Sequence, residues 1–347
     1  MSLFDTRYPF FTAYLKGEEA RLVTSNHINR MSKVSGIQDV LGIISDTDIG
    51  SYLEEAPVKT FDDLDEHLWM YFSDCLERVE WFKPVPADIL KILKAYTAKY
   101  DVLNIKAALH GISAGKQTRK IPIGVIHNSG LLDELSRAEN VDGIIEVLTR
   151  CKLGEYASAL EEYKTDEGVK SKLLAEARLD EEYYKNLLNM AKDIIDGTIL
   201  SKALGTIIDM KNLQVVLRAI IAGIGPEAAE YIISGGYMLS SEAVKELLPL
   251  KLNDVPGRVE YLYQNMAEEV VSSYDRTKSI AVVEEIIEKH KFKLIKEILS
   301  LSLLSPLVIA WYLILKEVEM RNLRLILKAM FDNIPVEEIG NCLVLPS

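Results

Sequence analysis

The sequence predicts an all-α fold in which one helical unit occurs three times. Apolar residues recur every three to four positions over most of the chain, and almost no segment alternates strictly between polar and apolar residues. The 347 residues include only 11 prolines and 19 glycines, so long stretches run without helix-breaking residues. We therefore expect more than two-thirds of the chain to be helical, with essentially no sheet.

The repeat is clearest in three segments that share the pattern acid-x-x-Asn-aliphatic-polar-x-x-Leu, which we call the acid-Asn motif. The motifs cover residues 101–109, 209–217 and 319–327, about 110 residues apart. Each places four apolar residues at the same offsets, on one stripe of a helix. These residues are Val102, Ile105, Leu109 and Ile112, then Met210, Leu213, Leu217 and Ile220, and finally Met320, Leu323, Leu327 and Met330. Each motif is therefore predicted to lie on an amphipathic helix with a buried seam.

A second element recurs between the motifs, at residues 37–44, 141–148 and 255–262. Two patterns in the same order at similar separations indicate three copies of one unit, with boundaries at 1–114, 115–222 and 223–347, the last including a C-terminal tail. Solenoid repeats are shorter, at ~20–45 residues. We therefore expect the three units to close around a pseudo-three-fold axis as a funnel with an axial cavity.

The segments between the motifs also have helical periodicity, at residues 62–79, 180–204 and 282–299. Residues 298–315 carry no charge and reach the lower limit for a membrane-spanning helix. Pro306 divides this segment into two short pieces, which favours a buried helix–turn–helix over a membrane span.

Composition excludes several classes of function. The net charge of −12 argues against nucleic acid, since binding phosphate requires clustered Lys and Arg. The three cysteines, Cys75, Cys151 and Cys342, are far apart and form neither a disulfide framework nor a metal-ligand pattern, as expected for a reducing compartment.

Segments that resemble catalytic or ligand-binding motifs depart from those motifs in detail. Gly111 and Gly115 are too close for a phosphate-binding loop, and Gln117 follows Lys116 where a hydroxyl is required. No two histidines lie three or four residues apart, and no Gly-x-Ser-x-Gly occurs. We expect no catalytic residue, cofactor, metal or small-molecule substrate.

The six polar residues of the acid-Asn motif are Asp101, Asn104, Asp209, Asn212, Glu319 and Asn322. Each acid and Asn share one helix face beside the apolar stripe. Two interpretations are open. The residues could anchor neighbouring helices through hydrogen bonds, because buried polar groups must be satisfied, or they could line an axial surface and contact a partner. We favour the packing role, because a partner need not have three-fold symmetry.

The chain resembles the C subunit of archaeal and bacterial A/V-type ATP synthases, which is related to the d subunit of V-ATPases, over essentially its full length. The resemblance rests on the three acid-Asn motifs, on residues 46–53, and on residues 321–327 followed by 335–338. It implies a non-catalytic central-stalk protein, present once per complex on the cytoplasmic face of the membrane. Such a protein rests on the membrane proteolipid ring and receives the foot of a rotor shaft made of the D and F subunits, coupling the two during ATP-linked ion transport.

For a protein in this position, Arg218, Arg321 and Arg324 are candidate shaft-binding residues, because Arg218 and Arg324 depart from the first copy of the repeat. An alternative is that each arginine interacts with the dipole of its own helix near the C-terminus. The competing function is a cytosolic helical-repeat scaffold for protein–protein interaction.

Overall fold

The computed structural model describes residues 7–34, 36–56, 60–82, 85–116, 118–161, 163 and 168–346. About three quarters of the described residues are helical, and none of them lies in a β-strand. The all-α prediction is therefore confirmed.

Sixteen α-helices can be described, with short 3₁₀ helices at Gly225–Tyr231, Leu252–Asp254 and Val336–Cys342. In chain order the α-helices are α1 (Arg7–Glu19), α2 (Ser25–Met31), α3 (Ile37–Ile44), α4 (Asp48–Glu54), α5 (Phe61–Trp81), α6 (Ala87–Ala114), α7 (Val125–Asn128), α8 (Leu132–Ser136), α9 (Val141–Arg150), α10 (Gly154–Leu160), α11 (Val169–Lys192), α12 (Gly197–Ala222), α13 (Ser241–Leu247), α14 (Tyr261–Thr277), α15 (Ala281–Leu299) and α16 (Leu307–Phe331).

The chain divides into two compact units. The terminal unit combines the two ends of the chain, Met1–Leu93 and Leu299–Ser347, whereas the central unit is Lys94–Ile298. In the terminal unit α16 packs against α5 and α1, and in the central unit α12 packs against α11. The division into three repeats stays a prediction, although α6 and α12 end at the two predicted repeat boundaries.

The three acid-Asn motifs lie on the long helices α6, α12 and α16, as their periodicity predicts. Over ten positions from the acid, the burial pattern is the same in all three copies except at the third position. The first three residues of each predicted seam are buried, and the fourth is at least partly buried. Burying such a stripe stabilises each helix far more than its intrinsic propensity does.

The helical pattern predicted at residues 180–204 belongs to two helices, because the chain breaks between α11 and α12. Asp196 has a φ of 57°, in the left-handed region. At Gly197 a Cβ would lie 1.7 Å from the carbonyl oxygen of Ala191, so only glycine fits this close approach. Apolar periodicity continues through the break, which is why the pattern alone does not reveal it.

Two further expectations are corrected in part. The second recurring element is helical in α3 and α9, but residues 255–259 form turns before α14, because Pro256 and Gly257 interrupt helical geometry. Residues 298–315 form the predicted helix–turn–helix, but the turn is not buried, since Leu301 and Leu304 are 83% and 64% exposed. Gly111 lies in α6, and Gln117 lies outside the described residues.

Candidate functional site

The three asparagines of the acid-Asn motif make the same pair of hydrogen bonds. Each side-chain Nδ2 donates to a backbone carbonyl, and its Oδ1 accepts from the backbone N–H of that same residue. The pairs, with donor and acceptor distances in that order, are Asn104 with Ile121 (2.9 and 2.9 Å), Asn212 with Ile233 (2.8 and 2.9 Å) and Asn322 with Val344 (2.6 and 3.1 Å). All three asparagines are buried. Each therefore holds a non-helical segment through both of its backbone groups, as a neighbouring strand would.

Asp101 holds the start of α7. Its two carboxylate oxygens accept the backbone N–H groups of Val125 and Ile126, each at 2.9 Å. Gly124, just before them, has a φ of 105°, and a Cβ there would lie 2.5 Å from the carboxylate. Burial raises the pKa of Asp101 to about 6, although the two N–H donors oppose the shift by stabilising the charged form.

Asp209 has a similar but larger set of donors. The backbone N–H groups of Tyr237, Met238 and Leu239 point to its carboxylate, and the Tyr263 hydroxyl donates at 2.6 Å. Burial raises the pKa of Asp209, and these hydrogen bonds lower it only in part. A Cβ at Gly236 would lie 2.1 Å from the carboxylate, so glycine is required here as it is at position 124.

Glu319 differs from both aspartates, because a buried cation neutralises it. One carboxylate oxygen accepts the N–H of Val23 at 2.8 Å, and the other pairs with Lys316 at 2.9 Å. The Lys316 side chain is 1% exposed and also donates to the Tyr71 hydroxyl at 2.7 Å. Sequence reasoning missed Lys316. Its signal is that only this copy of the motif carries a lysine three residues before the acid.

The three candidate arginines have different surroundings. Arg324 forms an ion pair with the fully buried Asp65, and its guanidinium lies 5.3 Å from the centre of the Trp69 ring. Arg321 has one buried guanidinium nitrogen without a hydrogen bond to the described residues. None of the three lies in the last turn of its helix, which weakens the helix-dipole alternative.

Arg218 lines a cavity of about 690 Å³ within the central unit. Its partner is Glu284 at 3.4 Å, and both side chains are about half exposed. At another part of the wall, Asp180 binds Lys106 and Lys211 through separate oxygens, each at 2.5 Å. Burial would raise the pKa of Asp180, but the two ammonium groups outweigh it and hold the pKa below its ordinary value.

Other groups in the described part of the chain form no recognisable chemical centre. No cluster of three or more His, Cys, Asp or Glu side chains there could hold a metal ion. Cys75, Cys151 and Cys342 form no disulfide bond, and burial raises the pKa of the first two. Within the described residues, no helix is both long enough and apolar enough to cross a membrane.

The buried carboxylates and amides of the acid-Asn motif bind backbone groups rather than converge on a shared cavity, so in the described part of the chain they pack an all-helical protein. The chain belongs to the ATP synthase (C/AC39) subunit family, whose model matches residues 11–342. Members of this family are structural rather than catalytic components of the synthase.

Individual relatives agree with this assignment. The chain is 25% identical to the C subunit of the A-type ATP synthase from Methanocaldococcus jannaschii, over 97% of this chain and 86% of that protein. It is 27% identical to the protein of the same name from Methanococcoides burtonii, over 98% and 95%, and 24% identical to that from Pyrococcus furiosus, over 96% and 89%.

Proposed function

We propose that this protein is the non-catalytic central-stalk component that couples the D–F shaft to the membrane proteolipid ring of a V/A-type ATPase or ATP synthase. The observation that carries the proposal is the family match over residues 11–342, together with relatives named as C subunits of A-type ATP synthases that align over nearly the whole chain. The protein acts once per complex, as a peripheral component on the cytoplasmic face of the membrane.

Torque transfer requires a stiff body, and the acid-Asn motif supplies stiffness at three places. Each asparagine fixes one backbone residue, and each acid fixes one to three backbone N–H groups nearby. An unpaired buried backbone group costs about 1–3 kcal/mol, so each site resists local opening. We assign a packing role to all six motif residues.

The pattern of these bonds supports closure of three repeats into a ring. With repeats at 1–114, 115–222 and 223–347, the acid of the first binds the start of the second, at Val125. The acid of the second binds the start of the third, at Tyr237. The acid of the third, Glu319, binds Val23 in the first repeat. The Ser25 hydroxyl at the start of α2 also donates to the carbonyl of Pro346 at 2.5 Å, a second contact between the third and first predicted repeats. A linear stack would leave the third acid without a partner of this kind.

Among the candidate shaft-binding residues, the structure favours Arg218. Arg324 is tied to the buried Asp65, so its replacement would destabilise the protein whether or not it touches the shaft. Arg218 is half exposed and only loosely paired, so a partner can reach it.

Co-purification tests the proposal. The full-length chain is mixed with the isolated D–F pair and, separately, with the detergent-solubilised proteolipid ring, and each mixture is run on a sizing column. We expect a one-to-one complex with D–F and a separate complex with the ring. A chain that binds neither, while remaining folded by circular dichroism, would instead be a scaffold for other cytosolic proteins.

A further inference from the structure

The turn between α15 and α16, residues 300–306, has an unusual composition for a turn that faces solvent. Its sequence is Ser-Leu-Ser-Leu-Leu-Ser-Pro, without a charge, although 27% of the residues of the chain are charged. Leu301, Leu303 and Leu304 are exposed. We call residues 300–306 the leucine turn. A run of exposed apolar residues is unfavourable in water, and where it occurs it marks an interaction surface.

Hydrogen bonds hold the leucine turn in place at two points. The Ser305 hydroxyl accepts the N–H of Leu307 at 3.3 Å, which fixes the end of the turn to the start of α16. The Thr12 hydroxyl of α1 donates to the carbonyl of Leu303. The exposure of the leucines is therefore a property of the fold.

Trp81 adds an aromatic side chain to the same region of the terminal unit. It is the last residue of α5 and is 80% exposed. The next residue, Phe82, stacks on Phe10 and Tyr14 of α1, with ring centres 5.3 and 4.1 Å apart. Helix α1 therefore contacts both the leucine turn and the residue beside Trp81.

Charged residues flank these apolar groups and are balanced in sign. Glu80 and Lys83 lie on either side of Trp81 in the sequence, and Lys296 and Glu297 precede the leucine turn. Helix α1 carries no charge from Tyr8 to Leu15. Such surroundings favour neither an acidic nor a basic partner, and the net charge of −12 of the whole chain opposes attraction to an anionic surface.

A turn at the corresponding place in the central unit has a different composition. The turn between α11 and α12 also precedes a helix with an acid-Asn motif, and it exposes Ile195 at 50%. Asp193 and Asp196 of that turn are exposed as well. Moving this turn into an apolar medium would remove water from two carboxylates, which costs much more than one isoleucine gains. The leucine turn carries no such cost.

We propose that the leucine turn and Trp81 insert into the boundary between the headgroups and the acyl chains of a lipid bilayer. Tryptophan prefers this boundary, because its ring is apolar and its N–H can donate to a headgroup, and leucine is favoured on the acyl side. A lipid surface also adapts to projecting side chains, whereas a protein partner must be complementary in shape and charge.

This inference rests on the proposed function, which brings the chain to a membrane. It adds direct contact with lipid to the attachment through the proteolipid ring. One weak contact gives only reversible membrane binding, and two contacts together hold a peripheral protein stably.

Flotation of the full-length chain with phosphatidylcholine vesicles tests the proposal. We expect the wild type to float with the vesicles, at high salt as well as at low salt, because apolar insertion is not screened. Leu301→Ser combined with Leu304→Ser should lower the partition coefficient by roughly tenfold or more. Ile195→Ser is the matched control, because it removes an exposed aliphatic side chain from the turn that contains two aspartates. It should bind like the wild type.

Tryptophan fluorescence locates the contact. Lipids brominated on the acyl chain should quench Trp81 in the wild type, whereas Trp311 is buried and should not respond. Trp81→Phe keeps an apolar ring, so it should still float with the vesicles but lose most of the quenching.

Each outcome bears on one proposal or the other. A folded wild type that does not float, or a leucine variant that floats equally well, overturns the lipid contact and leaves the central-stalk function to the co-purification test. If vesicles bind neither protein and the solubilised ring binds only the wild type, the leucine turn contacts ring proteins and the lipid contact is overturned. A dimer that the leucine variant abolishes, with no flotation, assigns the turn to a second copy of this chain. Flotation that depends on the leucines, without binding to D–F or to the ring, supports the lipid contact and overturns the central-stalk function.

Discussion

In the second and third copies of the acid-Asn motif, the asparagines make the same hydrogen bonds, whereas the acids have different partners. Asn212 and Asn322 bind one backbone residue each, 21 and 22 positions farther along the chain. Asp209 in the central unit is surrounded by neutral donors, whereas Glu319 in the terminal unit pairs with a buried lysine. The asparagine amide binds both backbone groups of one residue in each copy, whereas the partners of the acid depend on which segment packs beside it.

The cause of this difference lies in the chain connection. After Asn212 the chain continues and returns three consecutive N–H groups to Asp209. The segment that follows Asn322 binds it at Val344, and Glu319 instead receives a single backbone N–H from Val23, 296 residues away in sequence. One N–H does not compensate the burial of a carboxylate, so the third copy needs the ammonium of Lys316.

The largest effect should come from removing that ammonium. Lys316→Met leaves Glu319 buried with one backbone donor, and we expect the free energy of unfolding to fall by about 3–5 kcal/mol in urea titrations. Lys328→Met is the control, because Lys328 on the same helix is half exposed and pairs with Asp332; it should change stability by less than about 1 kcal/mol. Equal effects of the two changes would show that Lys316 does not neutralise Glu319.

The second-largest loss of stability should come from replacing the asparagine that all three copies of the motif share. Asn104→Ala, Asn212→Ala and Asn322→Ala each leave one N–H and one C=O unpaired, partly buried at Ile121 and buried at Ile233 and Val344, and we expect each to cost about 2–4 kcal/mol. Hydrogen exchange should show the loss locally, as faster exchange at Ile121, Ile233 or Val344, respectively. Asn189→Ala, at an exposed position of α11, is the control and should leave these amides protected. A cost confined to one of the three copies would contradict the shared role.

The sequence predicts the motif residues that recur in all three copies, but it does not predict the segments that these residues bind. The three asparagines and their buried seams follow from identical spacing, because the helix period fixes which residues share a face. The residues they bind lie 17 to 22 positions away in segments with no regular pattern. Gly124 and Gly236 mark those segments, but their role becomes evident only when the carboxylates lie against them.

The contact between Glu319 and Val23 could not be predicted from local pattern at all, because it joins opposite ends of the chain. Such a contact follows only from the packing of the terminal unit. The closure of the three predicted repeats depends on long-range contacts in the same way. Internal similarity predicts the copies, while the order in which they meet depends on long-range contacts that leave no trace in the periodicity of one segment.

The pH dependence of stability tests whether burial raises the pKa of Asp101, the acid of the first copy. Its pKa in the folded protein is raised to about 6 from an ordinary value of 3.8, so the folded state holds a proton more readily than the unfolded state. The resulting stabilisation is complete below about pH 4 and is lost as the pH rises through 6, by roughly 2–3 kcal/mol in total. Urea titrations from pH 4 to pH 7 should show a steeper loss of stability in wild type than in Asp101→Asn, in which Asp209, whose pKa is also raised by burial, still titrates. Asn104→Ala, which weakens the same segment without removing a titrating group, should keep the wild-type slope.

The smallest expected loss of stability tests whether neutral hydrogen-bond donors stabilise the buried Asp209 as the Lys316 ammonium stabilises Glu319. Tyr263→Phe removes one of the four donors to Asp209 and leaves three backbone N–H groups in place, so we expect a loss of only about 1–2 kcal/mol. Tyr261→Phe, two residues earlier and 83% exposed, is the matched control and should be neutral. A loss as large as that of Lys316→Met would mean that the tyrosine hydroxyl is as essential to Asp209 as the lysine is to Glu319. In that case the backbone N–H groups would not be what allows the central unit to bury an acid without a cation.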